Sequence, residues 1–326
     1  MNSRPALASE KISRRIKEKN FIFVCCRNSD EFLFFVLLLL FFLFFCNLHL
    51  EEGQAGAWLN LYLENQIQER RIVMISNATL DRLALEVLRA DTLELRAVPK
   101  KVTNEEVASL PLNMQPFLYA SGNWGPGYLM IKGLVGNKPL IRCLDRYLAL
   151  EIAERWPTGI DFVAGNVTGG MIPGWLISEE LEILLGKRTP FVYIRELRKT
   201  GGQKELITGY QKNREITPGS SGLDMEELVN FAQTIVNGAV CLREAGFVCT
   251  KGACILYYDN PVANKDLAGA GIEMVSLLTL PRVIEVADQF DTHSKDLLGD
   301  YRQFLKNPLQ WQADRGLMHV EKGGTK

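Results

Sequence analysis

Ile160-Asp161-Phe162-Val163-Ala164-Gly165-Asn166-Val167-Thr168-Gly169-Gly170-Met171-Ile172-Pro173-Gly174 reads as a short apolar strand that breaks into a glycine-rich turn and enters a helix. Ile160 to Ala164 supplies the strand, and Trp175 to Leu185 the helix, stopped by Gly186 where a left-handed residue ends the last turn. Glycine lets backbone approach a phosphate closely, and a helix amino terminus favours negative charge. Taken alone, such a turn is more often structural than a phosphate cradle. Its meaning depends on what surrounds it.

Upstream, Leu144, Leu148, Ile152 and Trp156 stand four apart with Ala149 and Ala153 alongside, which is one buried helical face ended by Pro157 and Gly159. Downstream, Phe191 to Ile194 is a strand, and Ile235 to Ala245 a helix ending at Gly246. Ala253 to Tyr258 and Met274 to Leu278 are further strands, separated by a helix around Lys265. Strands joined by helices at this spacing predict an α/β fold whose central parallel sheet is flanked by helices. Ligands in such sheets bind at the carboxyl ends of the strands.

The bulk numbers narrow the chemistry. The 326 residues carry a formal net charge of -1, so no global basic field supports a nucleic-acid partner. Seven scattered cysteines and three histidines lack metal-ligand spacing, which argues against a disulfide framework and a zinc site. Asn77-Ala78-Thr79 and Asn166-Val167-Thr168 both match a glycosylation acceptor, the second within an expected buried loop.

Residues 1-50 differ from the rest. Arg4, Lys11, Arg14, Arg15, Lys17, Lys19 and Arg27 precede an apolar run from Phe32 to Cys46. As a helix that run spans about 22 Å, and including Asn47 to Leu50 brings it near the length of a membrane span. Three readings stand: a membrane anchor through residues 32-50, a cleaved signal, or a mis-assigned start. Residues 51-110 read as an amphipathic, mostly helical extension, with Asn77 or Thr79 as helix cap and Leu80, Leu83, Leu85, Val87 and Leu88 on its apolar side.

Two further loops carry chemistry. Tyr193-Ile194-Arg195-Glu196-Leu197-Arg198-Lys199-Thr200-Gly201-Gly202, running on to Gly209, takes a strand into a long polar loop with three cations. A cationic lid suits a polyanionic leaving group; a solvated loop is the plainer reading. In Met225-Glu226-Glu227-Leu228-Val229-Asn230-Phe231-Ala232-Gln233-Thr234, two carboxylates at a strand end suit paired ribose hydroxyls, with a helix start beyond for a phosphate. Alternatively, Glu226 and Glu227 are first-turn helix residues favoured by the macrodipole.

The order of these three loops resembles the orotate phosphoribosyltransferases of the type I phosphoribosyltransferase family, from about Pro116 to Asp288, roughly half the chain. Pro116 to Gly122 and Pro126-Gly127-Tyr128 look like the family's amino-terminal substrate segment, and Thr168 to Ile172 like its pyrophosphate-side turn. Arg195 and Lys199 match its basic lid, Gly202 and Gly209 fit its glycines, and Glu226-Glu227 fall on its acidic pair. Tyr258 to Asn264 and Ala270 to Leu277 follow its late strand-helix-strand, which favours the orotate branch. There are departures. Glu196 takes the second position of the lid's basic pair, and Gly201 the place of its usual histidine. Tyr119 stands where many members have a substrate-contacting lysine, and Asn230-Phe231-Ala232 replaces Thr-x-Gly. The strand Ser220 to Met225 is more polar than the family's.

The resemblance implies a type I phosphoribosyltransferase fold, with a smaller amino-terminal hood, that transfers phosphoribosyl from phosphoribosyl pyrophosphate to orotate. It implies Arg195, Lys199, Glu226 and Glu227 as catalytic residues. Substrate contacts would come from Thr168, Gly169, Gly170, Asn230, Ala232, Thr234 and Arg198, with Lys132 on the base side. Mg²⁺ would be bound through the substrate, Glu226 and Glu227 being its only candidate protein contacts. A cytoplasmic catalytic domain, a homodimer and substrates comprising phosphoribosyl pyrophosphate with orotate or a related base complete the expectation. The phosphoribosyltransferase domain is expected at 111-290, followed at 291-326 by a carboxy-terminal helix and tail. The departures support a second reading: an altered paralogue that binds phosphoribosyl pyrophosphate or a nucleotide as a sensor, or acts on another base.

Overall fold

The computed structural model describes residues 75–195 and 206–318. The amino-terminal segment 1–50 and most of the expected lid, including Glu196, Arg198, Lys199, Gly201 and Gly202, therefore lie outside the described residues. No helix among the described residues is long and apolar enough to cross a membrane.

The core is a six-stranded sheet in the order β10-β9-β8-β5-β6-β7. Its strands are β5 (Phe162–Asn166), β6 (Phe191–Ile194), β7 (Ile207–Thr208), β8 (Ser221–Val229), β9 (Val248–Tyr257) and β10 (Glu273–Thr279). All neighbouring pairs are parallel except the edge pair β6–β7. Every residue of β5 is buried, as expected of a central strand covered on both faces. Strand alternation divides the apolar interior in two. Val163, Leu223, Met225 and Ile255 pack with α2 (Lys138–Arg155) and α3 (Met171–Leu185) on one face. Phe162 and Ala164 pack with α4 (Gln233–Glu244) and α5 (Pro261–Gly269) on the other.

The helices start and stop for local reasons. Asn137 caps α2, its side chain accepting the Leu140 amide at 3.3 Å, and Pro139 sits in the first turn. The apolar face of α2 is the expected one, Leu144, Leu148 and Ile152, with one exception. Asp145 is buried there too, and burial, then Glu180, push its carboxyl up to about 8. Helix α3 ends at Gly186, left-handed as expected with φ 65°.

Upstream of the sheet, residues 51–74 of the expected helical stretch lie outside the described residues, and from Ile75 to Leu110 the structure is mixed. Among the described residues of that stretch, 75–110, only α1 (Asn77–Arg89) is α-helical; its cap is Ser76, whose hydroxyl accepts the Thr79 amide at 3.1 Å, and not Asn77 or Thr79. Leu93–Leu95 then forms β1, which pairs antiparallel with β4 (Gly127–Leu129), because Leu93 buries where the helical pattern has run out. A small hairpin, β2 (Phe117–Leu118) with β3 (Trp124–Gly125), carries the turn between them. After β10, α6 (Leu280–Gln289) leads to two helices, α7 (Lys295–Lys306) and α8 (Pro308–Ala313), where one was expected; the tail 319–326 lies outside the described residues. Tyr301, Phe304 and Trp311 bury into the same apolar cluster as α1 and the sheet.

Candidate active site

At the carboxyl ends of β5 and β8 the chain encloses a cavity of about 230 Å³. Its walls bring together two of the three loops singled out in the sequence. Thr168 and Gly169 come from the β5–α3 turn, Glu226 and Glu227 from β8, and Asn230, Ala232 and Thr234 from the β8–α4 turn. Tyr119, Ala120, Ser121 and Tyr128 close the opposite wall, with Lys132 exposed at the rim.

The acidic pair sits inside a strand, neither at its end nor in the first turn of a helix. Strand β8 runs on to Val229, Glu226 lies opposite Cys254 in the register with β9, and α4 starts only at Gln233. Burial, reinforced by Glu227, holds the Glu226 carboxyl well above the usual carboxylate range. Tyr128 faces the pair, and burial, then Glu227 and Glu226, raise its hydroxyl. Among the described residues lining the cavity Lys132 is the sole cation. The walls thus set a carboxyl pair against a single lining cation, which suits a ligand that brings cations or hydroxyl donors.

Glycine in the β5–α3 turn is dictated by contact. A Cβ on Gly169 would overlap the Glu227 carboxylate, and one on Gly170 would overlap the Met225 carbonyl. The turn therefore packs directly onto β8 beneath the acids. Asn166 fastens it: the side-chain amide donates to Asp224 Oδ1 at 2.7 Å, across the two central strands. Asn166 is 4% exposed, so the second glycosylation match is closed to a glycosylating enzyme. Gly170, expected to touch substrate, lies behind the cavity wall as the residue before α3, its amide donating to Asn166 O at 2.8 Å.

The β8–α4 turn is built otherwise. Ala232 takes the left-handed conformation with φ 59°, where the family pattern has glycine, and no side chain caps α4. The first-turn positions Gln233, Thr234 and Ile235 all line the cavity, which suits an anion. Asn230 adds a side-chain Nδ2 without a protein partner, while its Oδ1 accepts from Asn260 Nδ2 at 3.3 Å. It is held in place by Asn260, whose Nδ2 donates to the Asn230 carbonyl at 2.7 Å while Oδ1 caps α5.

The other expected residues fall elsewhere. Arg195 ends β6 and turns back on Tyr193, donating to its hydroxyl at 3.2 Å, and it does not line the cavity. Tyr119 reaches the cavity but is a core residue: 7% exposed, its hydroxyl donates to Gly127 O at 2.6 Å among Tyr128, Phe231, Tyr258 and Phe304. Sequence reasoning missed the two fasteners, Asp224 and the role of Asn260. An acid between the apolar residues Leu223 and Met225, and an asparagine directly before a helix-opening proline, were the available signals.

No family model matches the chain. It is 25% identical over 227 residues to an orotate phosphoribosyltransferase of Lactococcus lactis, a match covering 70% of this chain and 98% of that protein. With an orotate phosphoribosyltransferase of a Jannaschia species it shares 27% identity over 206 residues, 62% of this chain and 85% of the relative. Among solved structures, UMP synthase of Leishmania donovani aligns with a TM-score of 0.53 at 20% identity. That alignment covers 69% of this chain but only 42% of the synthase, so this chain spans less than half its length. The chain has the type I phosphoribosyltransferase fold and, in sequence, is a relative of the orotate phosphoribosyltransferases.

Proposed function

We propose that the protein transfers the phosphoribosyl group of phosphoribosyl pyrophosphate to orotate, forming orotidine monophosphate and pyrophosphate. One observation carries this reading: two stretches far apart in sequence, the β5–α3 turn and the run from the acidic pair of β8 through the β8–α4 turn, line a single cavity as the resemblance requires.

In this reading Glu226 and Glu227 accept the two ribose hydroxyls. The start of α4, with Asn230, Ala232 and Thr234, receives the 5′-phosphate, and Thr168 and Gly169 meet the pyrophosphate. The bond from the anomeric carbon to pyrophosphate breaks as a ring nitrogen of the base, giving up its proton to water, bonds to that carbon. The leaving group takes the electron pair, and cations near it lower the barrier. Arg195 and Lys199 are the proposed cations, with Arg198 as a further one, and Lys132 faces the base. For Arg195 this requires turning away from Tyr193.

Two adjacent carboxylates in a cavity wall with one lining cation suit a hard divalent ion, although no cluster of three potential ligands occurs among the described residues. Mg²⁺ would reach Glu226 and Glu227 on substrate oxygens and water, and neutralise charge on the pyrophosphate. We further propose a homodimer in the cytoplasm. Ile172, Trp175 and Ile183, 47%, 55% and 66% exposed, form one apolar stripe along α3 that favours a second copy.

The full chain with phosphoribosyl pyrophosphate and Mg²⁺ is expected to consume orotate, followed by its ultraviolet absorbance. Binding of phosphoribosyl pyrophosphate with no loss of orotate would replace this reading by a sensor or by another base.

A further inference from the structure

Residues 291–326 lie beyond the motifs, Pro116 to Asp288, that carry the resemblance in sequence, yet α7 and α8 reach the cavity wall from behind. Gln312 in α8 is fully buried. Its Oε1 accepts the Trp124 amide at 2.8 Å, and its Nε2 donates to Pro308 O at 2.9 Å and to Asn123 Oδ1 at 3.3 Å. Asn123, 1% exposed, passes the constraint on: its carbonyl accepts the Tyr119 amide at 2.8 Å, and its side-chain amide donates to the Ser121 hydroxyl at 3.4 Å. Tyr119, Ala120 and Ser121 are the cavity wall opposite the acidic pair.

The anchor itself is rigid. Arg315 pairs with Asp300 and lies over the Trp311 ring at 3.9 Å, and Trp311 Nε1 donates to Asp300 Oδ1 at 3.2 Å. Helix α7 holds the far end of the same segment, since the Tyr301 hydroxyl donates to Gly127 O at 3.0 Å. A buried amide adds little net stability over an apolar side chain of equal size, but it selects one arrangement of its partners. Here the partners are the backbone of β3 and the turn whose residues face the substrate space.

We infer that Gln312 is a positioning residue for the base side of the reaction. It holds Tyr119–Ser121 at the cavity, and the carboxy-terminal helix pair is thereby part of the substrate site and not an appendage. The assignment of this wall to the base rests on the orotate reading above.

The test uses the full chain with Gln312→Met, which keeps the volume and removes the hydrogen bonds, and Gln312→Glu, which keeps the acceptor for the Trp124 amide. Gln312→Met is expected to raise KM for orotate about tenfold, the equivalent of one hydrogen bond, while KM for phosphoribosyl pyrophosphate and kcat move less than about threefold. Gln312→Glu, which loses the donor to Asn123 and Pro308, should show the same rise in KM for orotate. Amide exchange at Trp124 should quicken in Gln312→Met with β8 and β9 unchanged. Equal shifts in both KM values, or a lower Tm with unaltered KM and unaltered Trp124 exchange, would overturn the inference. If wild-type protein consumes no orotate, the substrate reading fails, and exchange decides the positioning role: selective loosening of 119–124 supports it, uniform loosening rejects it. Should Gln312→Met not fold, Asn123→Ala, which removes only the receiving side chain, is held to the same outcomes.

Discussion

The two turns that line the cavity floor solve one problem in different ways. In the β5–α3 turn glycine is required by space: a Cβ on Gly170 would enter the Met225 carbonyl, and one on Gly169 the Glu227 carboxylate. In the β8–α4 turn the requirement is conformational, and alanine meets it at φ 59°. Their fastenings differ as well. The first is tied to the neighbouring strand by Asn166 on the buried acid Asp224, the second by the neutral amide of Asn260 on the Asn230 carbonyl. A contact constraint admits no substitute, whereas a torsional constraint admits one at a modest cost. The family's glycine could therefore be lost from the second turn and not from the first.

The largest test of that contrast is Gly169→Ala. The new methyl must displace either the turn or Glu227, and a shift near 1 Å at reacting groups costs about a hundredfold in rate. kcat/KM for phosphoribosyl pyrophosphate is expected to fall by that order, with a lower Tm. A variant with near-normal kcat/KM would mean that Glu227 can swing aside freely, and the distinction between the turns would collapse.

The fastenings separate by pH. Burial holds the Asp224 carboxyl well above the usual carboxylate range, only partly offset by the hydrogen bond from Asn166. In the unfolded chain that group ionises near 4, so wild-type stability falls as pH rises above about 4 while the folded state retains the proton. Asp224→Asn removes the titration and keeps the shape. Relative to wild type it should gain nothing at pH 4 and about 1–3 kcal/mol by pH 8, the scale of a poorly compensated buried polar group. Asn260→Ala instead costs about 2 kcal/mol through the lost cap and strap, with no dependence on pH. Urea unfolding at pH 4, 6 and 8 checks both. Parallel curves for Asp224→Asn and wild type would show that the acid is ionised in its pocket.

Much of this architecture was legible in the sequence, and the failures have physical causes. Phe191–Ile194 and the helix ending at Gly186 were readable because period and punctuation coincide there. Strand β8 was harder: Asp224, Glu226 and Glu227 spoil its apolar run, and only burial between β5 and β9 makes a strand of it. Hairpin β2–β3 has two-residue strands, too short for any periodicity, and it exists because of partners such as Gln312, 188 residues away along the chain from Trp124. The loop order located Glu226, Glu227, Thr168 and Asn230 at one cavity without geometry. It could not say that Arg195 rests on Tyr193, since a side chain's direction at a strand end depends on its packing neighbours.

The smallest effect is the most discriminating, because it isolates torsion from contact. A left-handed L-residue costs about 1–2 kcal/mol in the folded state. Replacing it by glycine returns that amount less about 0.4–1 kcal/mol of extra unfolded-state entropy. Ala232→Gly should therefore stabilise by a few tenths to about 1 kcal/mol. It also removes a methyl from the wall that receives the 5′-phosphate, so KM for phosphoribosyl pyrophosphate should fall a few-fold. Gly186→Ala is the mirror image: φ is 65°, nothing lies within 4 Å of the added methyl, and the residue is remote from the cavity. It should lose about 1 kcal/mol with unaltered kinetics. Matched opposite shifts in urea midpoint would establish that torsion alone governs both positions. An Ala232→Gly variant less stable than wild type would show instead that the methyl packs productively, and that the second turn, like the first, is held by contact.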